Sequence, residues 1–288
     1  MERDARLLVD LLRDRQYADR DLGQHYLVDE SVLQSSIEMA APLRGKHVLE
    51  VGCGPGTLTH HLLAAGARVS AIEIDEGSLE HMRLQFDSEL ASGELTLIEG
   101  DALTVAWPAG VDAIVANIPF QISSPLLERM QRELRTTPAV LLVQEEFAAR
   151  MVMELSMDHG PLGMSLWLDF EVEMGRRVAP SCFSPQPRIQ SRLVRLGPID
   201  RLADLECDVD RRLFRQIVAQ CFSDRRRKLR NLLKRPPRRL TRIPGWHRDR
   251  WNLALTALRE HPLMDERPEM LEATDWIDLC EAISGFEH

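Results

Sequence analysis

The chain has 288 residues and a mass of 32.8 kDa, roughly twice the length of a common domain, so we expect one large domain and one small one. Its 44% hydrophobic and 28% charged residues predict a globular protein, and its apolar runs stay far below the roughly 20 residues that a membrane span requires. Five scattered cysteines without a Cys-x-x-Cys pair argue against a disulfide framework and a zinc site, and no apolar signal-peptide core follows Met1. We therefore expect a cytoplasmic protein that binds neither a metal nor a membrane.

The net charge of −9 conceals an uneven distribution. Residues 211–250, here called the basic segment, hold fifteen Lys or Arg and two acids, a charge of +13, which leaves −22 for the other 248 residues. A solvated helix face explains most short charge runs, but an excess of this size on an acidic chain favours a polyanion bound by one face. The basic segment therefore predicts a nucleic-acid partner.

Short apolar runs alternate with amphipathic stretches over the first 200 residues, a pattern typical of a parallel sheet with helical crossovers. After a helical extension over about residues 1–20, the predicted strands are His47–Gly52, Arg68–Ile74, Leu95–Gly100, Ala113–Asn117, Ala139–Gln144, Met164–Val178 and Ser191–Leu196. The Pro-rich loop Pro180–Pro187 is too short for a crossover helix, so the last two strands are predicted to form an antiparallel hairpin at one edge. From about Ile199 the pattern changes to helices broken by prolines. We predict a doubly wound α/β domain over residues 1–198 and a small helical domain over 199–288 that carries the basic segment.

A glycine-rich turn ends the first long strand, over Val48–Gly56 (VLEVGCGPG). Glycine allows positive φ and lets backbone N–H groups approach a ligand closely. The G-x-G-x-G spacing differs from the G-x-G-x-x-G dinucleotide fingerprint, and Glu50 lies two residues before Gly52, where it would disfavour a pyrophosphate. Nearby carboxylates would instead favour a ligand with an amine and a sulfonium. Such a turn can also be purely structural.

Polar side chains follow the next three strands where they end. Glu73 lies 21 residues after Gly52, where α/β nucleotide sites place a carboxylate that accepts both ribose hydroxyls. Asp101 ends the third strand, where it could accept a hydrogen bond from an adenine amino group, and Asn117 ends the fourth. Taken alone, Glu73 or Asp101 is equally compatible with a solvated acid or a helix cap. Because ligands of open α/β sheets bind at the carboxyl ends of the strands, the four motifs together predict one crevice.

Further segments match the motifs of one family; they are Leu22–Leu27 (LGQHYL), Asn117–Leu126 (NIPFQISSPL), Gln144–Met151 (QEEFAARM), Phe183–Ser191 (FSPQPRIQS), Phe222–Asn231 (FSDRRRKLRN) and Arg267–Glu269 (RPE). Over nearly the whole chain, these segments resemble the ribosomal RNA adenine dimethyltransferases of the KsgA type. Variants of the Asn-Ile-Pro-Phe quartet occur in many amino-group methyltransferases, whereas the Ile-Ser-Ser-Pro extension and the Phe-x-Pro-x-Pro loop are specific to this family. The forms after the quartet and in the QEEFAARM segment resemble the archaeal and eukaryotic branch.

The resemblance implies a Rossmann-like, seven-stranded methyltransferase sheet and an S-adenosylmethionine-dependent enzyme. Its expected reaction, in ribosome biogenesis, is dimethylation of the exocyclic amino groups of two adjacent adenosines near the 3′ end of small-subunit ribosomal RNA. The expected partners are this RNA and a pre-30S-type particle, with the protein acting as a monomer. One alternative is the related large-subunit adenine methyltransferase of macrolide resistance, although its quartet is usually followed by Ser-Thr rather than Ser123-Ser124-Pro125. The other is a non-catalytic RNA-binding assembly factor.

The chemistry of an adenine amine explains the quartet, because the nitrogen lone pair is delocalised into the ring and makes the amine a poor nucleophile. We expect the Asn117 side-chain oxygen and the Ile118 carbonyl to accept its two N–H bonds, while Pro119 stiffens the turn. Phe120 is expected to stack on the base, with Phe183 as a second wall on the opposite face. No strong general base is needed, because the proton becomes acidic only after methyl transfer.

The resemblance also implies two sets of binding residues. The cofactor site is expected to use Gln24, His25, Leu27, Gly52, Gly54, Glu73, Ile74, Asp101, Ala102 and Asn117. The RNA contacts are expected from Arg225, Arg226, Arg227, Lys228, Arg230 and Lys234. His25 stands where the family more often has Asn, so its role is either a backbone contact to the methionine moiety or a structural one. The family's Tyr-x-Arg-Leu-Ser loop is replaced by Pro161–Ser165 (PLGMS), which weakens any RNA contact of that loop.

Overall fold

A computed structural model describes residues 3–14 and 24–285 of the chain. It consists of two compact units, the first formed by Met1–Ala148 and Glu171–Pro198 and the second by Ala149–Phe170 and Ile199–His288. The sequence predicts one boundary at residue 198, whereas residues 149–170 here belong to the second unit. Among the described residues, every helix is too short or too polar to cross a membrane.

The strands in the described ranges are β1 (Tyr26–Leu27), β2 (His47–Val51), β3 (Arg68–Glu73), β4 (Leu95–Glu99), β5 (Ala113–Asn117), β6 (Ala139–Gln144), β7 (Phe170–Val178), β8 (Phe183–Ser184) and β9 (Ser191–Pro198). The α-helices are α1 (Ala5–Arg13), α2 (Glu30–Ala40), α3 (Thr57–Ala64), α4 (Glu76–Gln85), α5 (Asp87–Ser92), α6 (Ser123–Glu133), α7 (Glu145–Val152), α8 (Pro161–Asp169), α9 (Arg201–Asp204), α10 (Arg211–Cys221), α11 (Leu229–Leu232), α12 (Arg248–Ala257) and α13 (Ala273–Ser284). Short 3₁₀ turns occur at Phe120–Ile122, Ser156–Asp158, Pro180–Cys182, Phe222–Asp224, Leu240–Arg242, Pro262–Asp265 and Pro268–Met270.

A seven-stranded sheet organises the first unit, with strand order β4-β3-β2-β5-β6-β9-β7. Strands β2 to β6 pair in parallel, and β9 runs antiparallel to β6. The central strands are apolar runs such as Ala139–Gln144, nearly all of it buried, because helices cover both faces of a parallel sheet. The predicted α/β sheet of seven strands is confirmed, and β9 and β7 occupy one edge as expected.

The predicted strand Met164–Val178 is wrong over its first six residues, because α8 occupies Pro161–Asp169 and β7 begins at Phe170. Pro161 lies in the first turn of α8, where its fixed φ and missing N–H favour a helix start. Met164 and Leu168, four residues apart on one helix face, are both fully buried in the core of the second unit. Burial of this face assigns the helix to the second unit.

The Pro-rich loop between β7 and β9 contains a short strand that the sequence does not predict. There β8 pairs antiparallel with β1, in the register Tyr26↔Ser184 and Leu27↔Phe183. Helix α1 lies inside the predicted N-terminal extension, capped by the Asp4 carboxylate, which accepts from the Leu7 N–H at 2.7 Å. Residues 1–2 and 15–20 of that extension lie outside the described residues.

The second unit is helical around a core that includes the buried rings of Phe214, Trp251 and Trp276. Asp169, fully buried, accepts a hydrogen bond from the Arg211 guanidinium at 3.0 Å and pairs with Arg215 as well. A buried carboxylate is tolerated only when it is paired in this way. Two arginines of the basic segment are therefore engaged by a buried carboxylate of the second unit.

Candidate active site

A cavity of about 230 Å³ lies in the first unit at the carboxyl ends of β2, β3, β4 and β5. Ligands of open α/β sheets bind at this place. The predicted site residues that line it are Gln24, His25, Gly52, Gly54, Glu73, Ile74, Asp101, Ala102, Asn117, Ile118, Pro119 and Phe120. The four motifs that follow the strands thus come together in one crevice.

The glycine turn after β2 has the backbone that its sequence suggests. Gly52, Gly54 and Gly56 have φ values of +74°, +51° and +83°. A Cβ on Gly54 would lie 2.9 Å from the Tyr26 ring, and one on Gly56 would lie 2.5 Å from the Phe86 ring. Side chains at these positions would therefore both strain the backbone and collide with packed rings.

The Glu73 carboxylate holds this turn against the end of β3. One oxygen accepts from the Gly54 N–H at 2.8 Å, and the other accepts from the Ile74 and Asp75 N–H groups at 2.9 and 3.0 Å. Burial raises the pKa of Glu73, and these N–H donors oppose the rise because they favour the charged form. A carboxylate offers about four acceptor positions. Glu73 therefore keeps about one position free, fewer than the two that both ribose hydroxyls would need without rearrangement.

Glu50, considered from sequence as a carboxylate close to the ligand, does not line the cavity. Its side chain is buried in β2 and accepts a hydrogen bond from the Thr59 hydroxyl of α3 at 2.6 Å. Burial, with a smaller contribution from the charge of Glu73, raises its pKa to about 8. At neutral pH Glu50 is consequently a neutral acid and supplies no counter-charge to a cationic ligand.

A tight turn places Asp101 at the end of β4. Gly100 has φ +131°, and a Cβ there would lie 2.6 Å from a methyl group of Val105. The Asp101 carbonyl accepts from the Thr104 and Val105 N–H groups, both at 2.9 Å. One oxygen of the Asp101 side chain accepts from the Leu103 N–H at 2.8 Å. The turn thus fixes the carboxylate, and its second oxygen remains as an acceptor at the cavity.

The quartet after β5 is held by the segment that precedes β1. The Asn117 side-chain nitrogen donates to the His25 carbonyl at 3.2 Å, so the amide oxygen remains as an acceptor. The His25 ring lies 5.8 Å from the Phe120 ring, tilted by 31°, and its Nδ1 donates to the Pro185 carbonyl at 3.0 Å. His25 thus supports the quartet structurally, while its backbone contact to the methionine moiety stays a prediction.

The quartet and the glycine turn also touch each other. A Cβ on Gly52 would lie 3.2 Å from two ring carbons of Pro119. This is tighter than ordinary van der Waals contact, so the absence of a side chain at Gly52 lets the two halves of the site pack together.

Two predicted site residues do not reach the cavity. Phe183 is 2% exposed and faces Leu27 across the β1–β8 ladder, and both side chains belong to the core of the first unit. The second wall that we expected from Phe183 is therefore absent in this structure, because strand pairing turns its ring into the core. Leu27 is likewise a core residue.

The cavity has further lining residues that were not among the predicted site residues, although four of them lie inside the quoted motifs; they are Tyr26, Val51, Ile72, Gly100, Gln121 and Ile122. Val51 and Ile72 lie at the ends of β2 and β3, so the rule that ligands bind at strand ends could have found them. Tyr26 could not be found in this way, because its place depends on the β1–β8 ladder.

The predicted RNA-contacting residues all belong to the second unit, where they differ in what they already bind. Arg225 donates to the carbonyls of Met157 and His159 at 3.2 and 2.5 Å, and Asp265 pairs with both Lys228, at 2.8 Å, and Arg230. The other three, Arg226, Arg227 and Lys234, are exposed. The segment Phe222–Asn231, which resembles a basic helix of the family, consists here of a 3₁₀ turn, a bend and the short α11.

The known proteins that this chain resembles agree with the kind of site that its geometry indicates. Residues 15–242 match the family model for ribosomal RNA adenine dimethylase. A protein of Haloarcula marismortui named "Probable ribosomal RNA small subunit methyltransferase A" is 39% identical over 220 residues, 75% of each chain. The ribosomal RNA small subunit methyltransferase A of Lactobacillus delbrueckii subsp. bulgaricus is 31% identical over 283 residues, 93% of this chain and 91% of its own.

Among solved structures, a dimethyladenosine transferase from Plasmodium falciparum superimposes with a TM-score of 0.71 and 27% identity, covering 87% of this chain and 94% of its own. The 23S rRNA methyltransferase ErmE gives a TM-score of 0.58 at 26% identity, with coverage of 90% and 99%. A family match over most of the length, together with the cavity at the strand ends, leads to one assignment. This chain belongs to the ribosomal RNA adenine dimethylase family.

Proposed function

We propose that this protein is an S-adenosylmethionine-dependent methyltransferase that dimethylates the exocyclic amines of two adjacent adenosines near the 3′ end of small-subunit ribosomal RNA. The observation that carries the proposal is one cavity lined both by the acids Glu73 and Asp101 and by the quartet Asn117 to Phe120. The protein acts as a monomer on a pre-30S-type particle in the cytoplasm.

The residues at the strand ends fit S-adenosylmethionine. The glycine turn brings backbone close to the ligand, Glu73 offers a hydroxyl acceptor for the ribose, and the free oxygen of Asp101 offers an acceptor for the adenine amine. When bound, the cofactor supplies a methyl group on a sulfonium. Ile74 and Ala102, which follow the two acids, line the same cavity and would border the adenosine.

The quartet positions the target amine. Because the nitrogen of the Asn117 amide is held by the His25 carbonyl, its oxygen accepts one N–H of the adenine, and the Ile118 carbonyl accepts the other. The two bonds favour a pyramidal amine, in which the lone pair is free to attack. Phe120, kept in place by the His25 ring, stacks on the base; such stacking is worth roughly 1–3 kcal/mol.

The basic segment binds the RNA backbone. Arg226, Arg227 and Lys234 are exposed and make the phosphate contacts. Arg225 already serves two carbonyls of the second unit, while Lys228 and Arg230 would exchange Asp265 for phosphate. Among the six predicted residues, Arg226, Arg227 and Lys234 should therefore contribute most to the affinity, because Lys228 and Arg230, which are also exposed, first have to leave Asp265.

The proposal is tested by incubating the purified protein with labelled S-adenosylmethionine and undermethylated small subunits, then mapping methylated adenines. We expect dimethyladenosine at two adjacent positions near the 3′ end, and none in parallel reactions with large subunits. Methylation of large-subunit RNA alone would favour the macrolide-resistance type of enzyme. Binding to small subunits without methyl transfer would favour an assembly factor and contradict the proposed catalysis.

A further inference from the structure

One buried arginine contacts the turn after β4 at the cavity without lining the cavity itself. Arg129 of α6 is 6% exposed, and its guanidinium donates to the carbonyls of Ala102 and Val105 at 2.7 and 2.6 Å. These two carbonyls lie in the turn that starts at Asp101. A single side chain thus holds the turn at two points.

The guanidinium is itself held from two sides. Its Nε–H and one Nη–H donate to the Glu133 carboxylate at 3.1 Å, so four of its five N–H groups have acceptors. Its central carbon lies 4.5 Å from the centroid of the Trp107 ring, within the range of a cation–π contact. The Trp107 N–H in turn donates to the Ala102 carbonyl at 2.9 Å. Arg129, Glu133 and Trp107, here called the Arg129 clamp, therefore fix the Ala102 carbonyl from two directions.

Arg129 and Glu133 of the clamp lie on α6, the helix that follows the quartet in the chain. Helix α6 begins at Ser123, three residues after Phe120, and its residues Leu126, Leu127 and Met130 are fully buried. A charged group on a packed helix keeps its position, and a buried guanidinium loses much free energy if its acceptors move away. The position of the Asp101 turn is consequently tied to the helix that follows the quartet.

We propose that Arg129 is a positioning residue that sets the preference of the cofactor site for an adenine base. Arg129 acts by holding the Asp101 carboxylate where the exocyclic amine of the cofactor donates to it. The inference rests on the proposed function, and it adds a residue from outside the cavity. Its clearest consequence concerns selectivity, because loosening of the turn weakens the hydrogen bond from the exocyclic amine, which the 6-oxo analogue of adenine cannot make.

The test compares two ligands, S-adenosylhomocysteine and S-inosylhomocysteine; in the second a 6-oxo group replaces the amine and N1 carries a proton. The variants are Arg129→Met and Trp107→Phe, with Arg132→Met as a control. Trp107→Phe removes the N–H that donates to Ala102 and keeps an aromatic ring, although a smaller one. Arg132 is the neighbouring exposed arginine of α6 and also pairs with Glu133. Dissociation constants for both ligands are measured by isothermal titration calorimetry.

The wild type should bind the adenosyl ligand roughly 10-fold to 150-fold more tightly, the range of one hydrogen bond to a charged group. Arg129→Met should reduce this ratio about tenfold while changing the inosyl affinity much less. Trp107→Phe should reduce the ratio by a smaller factor, and Arg132→Met should keep it.

Equal weakening of both ligands in Arg129→Met would mean a merely structural role and would overturn the inference, as would a retained ratio or a wild type without preference. If Arg129→Met fails to fold, Trp107→Phe decides by the same criterion. A wild type that binds neither ligand contradicts the proposed function instead.

Discussion

The effect of Glu50→Gln on the free energy of unfolding is expected to change sign between acidic and neutral pH. The reason is that Glu50 is a buried acid whose pKa is raised from the usual 4.5 to about 8. Between these values the folded protein retains a proton that the unfolded chain has lost. Wild-type stability therefore falls as the pH rises through this window, by up to about 1.4 kcal/mol per pH unit. At pH 7 the free energy of unfolding of the wild type is about 3 kcal/mol lower than it is well below pH 4.5. A glutamine keeps the oxygen that accepts from Thr59 and has no charge to bury.

Against this gain stands an additional buried amide N–H in the variant, which costs about 1 kcal/mol. Glu50→Gln should thus be less stable than the wild type by about 1 kcal/mol near pH 4.5 and more stable by about 2 kcal/mol at pH 7. Urea unfolding followed by far-ultraviolet circular dichroism at both pH values measures the crossover. The matched control is Glu128→Gln, on an exposed position of α6, which should stay within about 0.5 kcal/mol of the wild type at both. A Glu50→Gln variant equally destabilised at both pH values would refute the reasoning.

Three further outcomes are expected. Glu73→Ala should weaken S-adenosylmethionine binding by roughly 10-fold to 150-fold in calorimetry, because a buried charged acceptor is lost and the Gly54 N–H is released with it; an unchanged dissociation constant would remove Glu73 from the site. Asn117→Ala should slow methyl transfer by roughly 10-fold to 150-fold, and the first methylation more than the second, because monomethyladenosine has one N–H left; single-turnover assays that separate the two products check this, and full activity would refute the role. Changing Arg226, Arg227 and Lys234 together to Glu should weaken RNA binding and flatten its salt dependence, by about 0.7–0.9 in log–log slope per lost phosphate contact, with cofactor affinity intact; normal saturation by small subunits would show that the RNA face lies elsewhere.

The sheet and most of the site were predictable because both depend on local signals. Apolar runs separated by crossover-length segments indicate a parallel sheet, and polar residues at strand ends then meet at one edge. The sequence does not predict the helix at Pro161–Asp169, because a short apolar run next to a strand fits the helical and the strand period equally well. Only its packing in the second unit determines that this run is a helix.

The errors at the site have a common physical origin in long-range pairing. Phe183 lies in a matching motif, but the β1–β8 ladder, across more than 150 residues of chain, decides which way its ring turns. Arg129 belongs to no motif, and its role emerges only when the carbonyls of the Asp101 turn come within hydrogen-bond distance. The resemblance to the archaeal and eukaryotic branch stays a prediction, since archaeal and bacterial relatives both match.

The contact between Gly52 and Pro119 has a consequence for engineering this enzyme toward other target bases. Replacing Pro119 by a smaller residue to enlarge the target-base site would leave a void against the glycine turn. Replacing Gly52 by alanine would press its methyl group onto the proline ring. Variant libraries that change only one of these two positions should therefore contain mostly inactive proteins. Positions 52 and 119 therefore have to be varied together. Because φ at Gly52 is +74°, a substitution at Gly52 also requires a change at a neighbouring residue that restores the turn.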